Sequence, residues 1–170
     1  MRIPKPNVEV VSTGRWLPER VVTNHDLEKE LETSDEWIRD RTGIVERRIA
    51  GDDVGAADMG ANAARIAMER ADIHPGEVDV IVVSTATPDR LLPSTAVDIQ
   101  AQLGAENAAA YDISAACSGF LFGLSIAEGH LVSGRAEIAL VISTEKMSAI
   151  VDWEDRSTAV LFGDGAGAAV

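Results

Sequence analysis

Asp112-Ile-Ser-Ala-Ala-Cys117-Ser-Gly-Phe-Leu-Phe122 decides how the rest of the chain is read. It continues an apolar, strand-like run that starts at Ala108, and it passes into a long helical pattern reaching about Val132. The only cysteine of the 170 residues stands at the junction. Ser114, Ala115 and Ala116 before it, with Ser118 and Gly119 after it, are small enough to let another group approach the sulfur. A helix beginning there points its unpaired N–H groups and the positive end of its dipole toward that sulfur, which favours a thiolate. The placement follows the logic of a nucleophile elbow. A free cysteine is also a small hydrophobe that is commonly buried, so spacing alone leaves a plain packing role open.

Outward from this junction, strand and helix patterns alternate. On the N-terminal side, Val8 to Val11 reads as a buried strand, and Asn24 caps a short helix over Asp26 to Leu31. Ser34 caps the next helix, whose first turn holds Asp35 and Glu36 and whose last holds Arg39 and Arg41, with Gly43 as its left-handed stop. Ile44 to Ile49 is read as a strand. A helix runs from about Ala56 to Arg70, His74-Pro75-Gly76 turns, and Val78 to Ser84 is the β-branched run of a strand covered on both faces. Ser94 or Thr95 opens a helix that closes at Gly104. Beyond Gly134, Glu137 to Ser143 and Thr158 to Phe162 read as strands, Gly163 to Gly167 as a tight turn, and Ala168 to Val170 as the start of another strand. This order predicts an α/β chain with a mixed, mostly parallel sheet and helices on both faces. The helix after Cys117 carries Phe120, Leu121, Phe122, Leu124, Ile126 and Leu131, apolar nearly all round, and is expected to lie buried at the centre. Val170 falls inside an apolar run, so the chain is expected to be part of a longer protein or half of an assembly.

Composition narrows the classes. At 46% hydrophobic residues, with no apolar run of transmembrane length and no signal-like start, the chain is expected to be soluble and cytoplasmic. A lone cysteine agrees with a reducing compartment. Twenty-eight acidic against fifteen basic residues give a formal charge of −13. That field disfavours nucleic acid and anionic membrane surfaces as partners.

A cysteine nucleophile needs a base and an oxyanion hole. Of the three histidines, His130 would lie roughly 20 Å along the helix from Cys117, and all three, His25, His74 and His130, read as solvated surface residues. Trp37 and Arg41 share a helix face, where an indole and a guanidinium could grip a nucleotide or simply pack and solvate. Arg156 is either an anion ligand or a surface charge. Gly163-Asp-Gly165-Ala-Gly-Ala168 formally fits a dinucleotide fingerprint, but a strand rather than a helix is expected after it, so that reading is rejected. Asp52, Asp53 and Asp58 lack metal-site spacing.

Taken together, Thr33-Ser-Asp-Glu-Trp37-Ile-Arg-Asp-Arg41-Thr-Gly-Ile, the Cys117 segment, Asp155-Arg156 and Phe162-Gly-Asp-Gly-Ala-Gly-Ala168 resemble the N-terminal half of a β-ketoacyl-acyl-carrier-protein synthase III, of the thiolase superfamily. The resemblance spans essentially residues 1–170 and implies one half of a thiolase-like fold. It implies that Cys117 takes the acyl group of a short acyl-CoA, usually acetyl-CoA. Malonyl on acyl carrier protein then loses carbon dioxide, and its enolate attacks the acyl-enzyme in the first condensation of fatty acid synthesis. It also implies that Trp37 and Arg156 sandwich the CoA adenine, that Thr33 and Arg41 assist at the nucleotide end, and that Leu92, Met147 and Phe162 line the acyl pocket, Leu92 from across a homodimer. CoA enters as substrate; no metal or redox cofactor is implied. The family's partner histidine and asparagine belong to a second half, so residues 1–170 alone are expected not to condense.

Two other readings are weighed. A carrier-independent relative such as a 3-hydroxy-3-methylglutaryl-CoA synthase would place a glutamate where Ala86 stands, which counts against it, whereas polyketide- or quinolone-priming relatives share the motifs. A non-catalytic thiolase-type half, kept for dimerisation or CoA binding, would not acquire an acyl group.

Overall fold

A computed structural model describes residues 8–170. Among these, the strands are β1 (Thr13–Trp16), β2 (Val21–Thr23), β3 (Glu46–Arg48), β4 (Val80–Ser84), β5 (Ala109–Ile113), β6 (Ala139–Lys146) and β7 (Asp164–Ala169). The helices are α1 (Asn24–Leu27), α2 (Asp35–Thr42), α3 (Ala56–Ala71), α4 (Thr95–Leu103), α5 (Gly119–Val132) and α6 (Arg156–Ala159). Five strands form one sheet in the order β1-β7-β6-β4-β5, and β2 and β3 make a separate antiparallel ribbon. β4 runs parallel to both β5 and β6, while β7 is antiparallel to β6 and to β1. The sheet is therefore mixed, with its parallel pairs at one side.

All five residues of β4 are buried, as a β-branched run covered on both faces requires. The α3 and α4 helices cover one face, where Met59, Ile81, Ile99, Leu140 and Ile142 form the main core. The alanine-rich face of α3 lets it lie close to α4 and the sheet: a Cβ on Gly60 would stand 2.6 Å from the Ile99 Cδ1 of α4 and 3.4 Å from the Ile142 Cγ2 of β6. α5 packs on the opposite face, over Val80, Val82 and Val141.

Several helix ends are closed by carboxylates from distant parts of the chain. Asp89 accepts from the N–H groups of Ala56 (2.8 Å) and Ala57 (2.9 Å) at the start of α3. Asp112 does the same for Thr95 (2.8 Å) and Ala96 (2.7 Å) at the start of α4. These are orphan donors that a carboxylate satisfies with both charge and geometry. Part of the acidic excess is thus structural.

The structure corrects several expectations. Val10 and Val11 are exposed rather than buried, and the ladder proper begins at Thr13, because β1 is the outermost strand and has a neighbour on one side only. Thr23, not Asn24, caps α1, in a reciprocal pairing with Asp26, and Asn24 turns inward. The strand expected over residues 44–49 shortens to three residues, matching the three of its partner β2. Thr158 to Phe162 is not a strand: the Asp155 side chain accepts from the Ser157 N–H and starts the helical turn α6. Residues 164–167 are not a turn but the first four residues of β7, where glycine and alanine alternate along the ladder with β6.

The largest correction concerns α5. Its buried residues are Gly119, Gly123 and Ala127, one per turn on a single face. A Cβ on Gly123 would lie 2.8 Å from the Val141 Cγ1, so the small residues set the close approach of helix to sheet. Leu121 (65% exposed) and Phe122 (55%) face away from the rest of the chain. The helix is covered on one side, not sunk at the centre.

Candidate active site

At the end of β5 the backbone changes hand. Ala115 has φ −147° and ψ 24°, and Ala116 has φ 45°, a left-handed conformation that alanine seldom adopts. A single 3₁₀ turn, Ala116–Ser118, carries Cys117 between β5 and α5, and the cysteine is exposed and unbonded to any other sulfur. Directly behind it, Gly119 lies on the end of β4, where an added Cβ would collide with the Ser84 Oγ. Cys117 therefore sits beyond the carboxyl ends of two parallel strands, where open α/β sheets place their ligands.

The neighbouring loop is fixed by Glu145, near the end of β6. Its carboxylate accepts from the Ala86 N–H at 2.9 Å and from the Thr87 hydroxyl at 2.6 Å, and that hydroxyl in turn accepts from the Lys146 N–H at 2.8 Å. Sequence reading missed this residue; an acid shortly after the apolar run Ala139–Ile142 was the available signal.

A second cluster forms on the β2–β3 side of the molecule. Ser34 caps α2 by accepting from the Trp37 N–H (3.1 Å), and Gly43, at φ 74°, ends it as expected. The Arg41 guanidinium carbon stands 4.4 Å from the Trp37 ring centroid, and that of Arg156, from α6, stands 5.0 Å from it. Arg156 also donates to the Glu32 carbonyl at 2.9 Å. Next to that carbonyl, the Thr33 Oγ1 is buried with no hydrogen-bond partner. The fold thus brings Trp37, Arg41 and Arg156 into contact, with Thr33 beside the Arg156 anchor.

Leu92, Met147 and Phe162 are placed differently. Leu92 is 85% exposed and Phe162 is 37% exposed, while Met147 is half-buried in a 3₁₀ turn after β6. None of them lines the cleft of about 1030 Å³ between the β2–α1 segment and residues 146–154, which holds Arg20, Lys29 and Lys146 against Asp26, Glu30, Asp52 and Glu154.

The three histidines have work elsewhere. His25 is exposed and contacts Glu28 at 3.1 Å, which pushes its pKa up. The His74 Nδ1 accepts from the Gly76 N–H at 3.2 Å and caps its own turn. His130, expected to be solvated, instead meets the Tyr111 hydroxyl at 2.9 Å. Among the described residues no group of three or more metal-binding side chains converges, and no helix is long and apolar enough to cross a membrane.

The geometry can be set beside known proteins. A sequence profile described as 3-oxoacyl-[acyl-carrier-protein] synthase III matches residues 111–170, the stretch that holds Cys117. β-Ketoacyl-[acyl-carrier-protein] synthase III 1 of Bacillus cereus is 54% identical over 164 residues. The chain is similar to the β-ketoacyl-acyl-carrier-protein synthase III family. That alignment covers 96% of this chain and 53% of the Bacillus protein. The crystal structure of the 3-oxoacyl-[acyl-carrier-protein] synthase III from Aquifex aeolicus superposes with a TM-score of 0.92 at 54% identity, over 94% of this chain and 52% of that one. The priming β-ketosynthase of the R1128 polyketide pathway gives 0.93 at 44% identity, over 99% and 51%. The fold is thiolase-like, and the chain spans about half the length of the synthase III relatives it matches.

Proposed function

We propose that this chain carries the acyl-accepting part of a 3-oxoacyl-acyl-carrier-protein synthase III. The exposed Cys117, on a left-handed turn beyond the ends of β4 and β5, is the observation that carries the reading. Its thiolate attacks the carbonyl carbon of a short acyl-CoA, preferentially acetyl-CoA. The tetrahedral intermediate collapses, the bond to the CoA sulfur breaks, and CoA leaves as its thiol after taking up a proton. In the complete enzyme the acyl-Cys117 thioester is then attacked by the enolate that malonyl-acyl carrier protein forms as it loses carbon dioxide, giving the 3-oxoacyl carrier protein and regenerating the thiolate.

Trp37, Arg41 and Arg156, with Thr33, are assigned to the nucleotide end of CoA, where indole and guanidinium planes suit an adenine and the charges suit phosphate. A base inserted between two planes needs about 7 Å, two contact distances. Arg156 lies closer than that to Trp37, so it has to swing from the ring and release the Glu32 carbonyl when adenine enters. Leu92, Met147 and Phe162 are assigned to the acyl pocket, which the 170 residues do not close by themselves. The outer position of β5 in the sheet and the exposed Leu91 and Leu92 support a homodimer. A free thiol at the centre of the chemistry suits the cytoplasm.

Incubation with acetyl-CoA followed by intact-mass measurement tests the reading. One acetyl adduct, absent from Cys117→Ala, supports it; an adduct that survives the substitution sinks it. The likeness to the R1128 priming ketosynthase favours one second reading, a polyketide-priming enzyme using the same cysteine with a different primer. Competition between acetyl-CoA and longer acyl-CoAs separates the two.

A further inference from the structure

We propose that Arg47 is a positioning residue for the nucleotide grip, tying together the two helices that carry Trp37 and Arg156. The inference rests on the assignment of those residues to the CoA nucleotide. Arg47 lies in β3 and is only 6% exposed. Among the described residues no carboxylate lies within ion-pair distance of it, which is an unusual situation for a buried cation. Its fork is spent on bridging instead.

Both terminal nitrogens donate to the Asn24 Oδ1 at 3.0 Å. One also reaches the Val22 carbonyl at 3.3 Å, and the other the Val160 carbonyl at 2.8 Å. Val160 is the C-terminal cap of α6, the helix that begins at Arg156. Asn24 is 1% exposed and hands the link on: its Nδ2 donates to the Asp35 Oδ1 at 2.9 Å and to the Ile44 carbonyl at 2.8 Å, one at each end of α2. Asp35 is the first residue of that helix, and Trp37 and Arg41 lie on it. The amide of Asn24 is then saturated, two bonds accepted and two donated.

No other side chain among the described residues bonds directly to α6 and, through one intermediary, to both ends of α2. The Trp37–Arg156 spacing is a relation between two short elements far apart in the chain, and short helices do not hold their own place. Arg47 supplies the shared anchor. Lysine cannot replace the fork, because a single ammonium lacks the planar pair of nitrogens that meets Asn24 and Val160 at once.

Calorimetric binding of CoA and of pantetheine to wild type, Arg47→Met, Arg47→Lys and Asn24→Asp tests this. Pantetheine lacks the nucleotide and does not engage the grip. CoA affinity is expected to fall about tenfold in each variant, the scale of one or two lost charge-assisted hydrogen bonds, while pantetheine affinity stays as in wild type. Thermal melts by circular dichroism identify the folded variants, and Arg47→Lys, which keeps the charge, remains informative if Arg47→Met does not fold. A folded variant with wild-type CoA affinity, or one that loses CoA and pantetheine alike, overturns the inference. A wild-type chain that binds CoA no better than pantetheine overturns the nucleotide-grip reading itself, and the inference falls with it.

Discussion

The Asp112 carboxylate accepts from the Thr95 N–H at 2.8 Å, so the strand that leads to Cys117 is bolted to the first turn of α4. Asp112 also receives the Ala96 N–H, and no side-chain cap of α4 itself contributes, since Ser94 makes none. Asp112→Asn keeps the shape but loses the charge and one well-placed acceptor. It is expected to cost about 1–2 kcal/mol in urea unfolding, and Asp112→Ala more. An unchanged midpoint for both would show that the bolt is decorative.

The approach of α5 to β4 makes a sharper prediction. Gly119→Ala sets a methyl group against the Ser84 Oγ, and neither the strand nor the helix start can easily yield. The variant is expected to lose about 1–3 kcal/mol, the usual cost of overpacking, and to slow alkylation of Cys117 as its turn is displaced. Ala127→Gly, on the same buried face two turns on, should leave alkylation unchanged.

Removal of the proposed nucleotide grip should be graded. Trp37→Ala takes away the platform that both guanidinium groups contact, and it is expected to weaken CoA about tenfold or more relative to pantetheine. Arg156→Ala should cost less, because in the free chain this arginine already stacks on Trp37 and bonds to Glu32, contacts that adenine must displace. Calorimetry ranks the two; a larger loss for Arg156→Ala would refute the displacement.

What could be read from the sequence follows from how local its causes are. Val80–Ser84 and α2 were legible because an unbroken β-branched run, a Ser34 cap and a Gly43 stop act within their own segments. β7 was not, because alternating glycine and alanine carry no strand preference and the ladder with β6 imposes the conformation. Nor was the orientation of α5. A helix apolar all round conceals which face meets the sheet, and the decision falls to Gly119, Gly123 and Ala127. Cys117, Trp37 and Arg41 stood out through residue type and spacing. Arg47 and Glu145 did not, since their meaning lies in partners distant in sequence.

Asp79 gives a prediction in pH. It accepts from the Glu137 and Ile138 N–H groups at 2.7 and 3.1 Å, bonds that hold its pKa below the usual carboxylate value. A depressed folded-state pKa means that the contribution is complete above the unfolded value, about 4, and disappears as pH falls through the folded one. Asp79→Asn should therefore be less stable than wild type at neutral pH, with the gap closing in acid. A gap that is constant across that range would contradict the assignment.

In the proposed chemistry the sulfur of Cys117 accepts an acyl group from a CoA thioester. The most direct measurement is peptide mapping by mass spectrometry after brief exposure to acetyl-CoA, with release by neutral hydroxylamine as the mark of a thioester. One hydroxylamine-labile acetyl group is expected on the Cys117 peptide and none in Cys117→Ala. A Cys117 that reacts freely with iodoacetamide yet gains no acetyl group would contradict it.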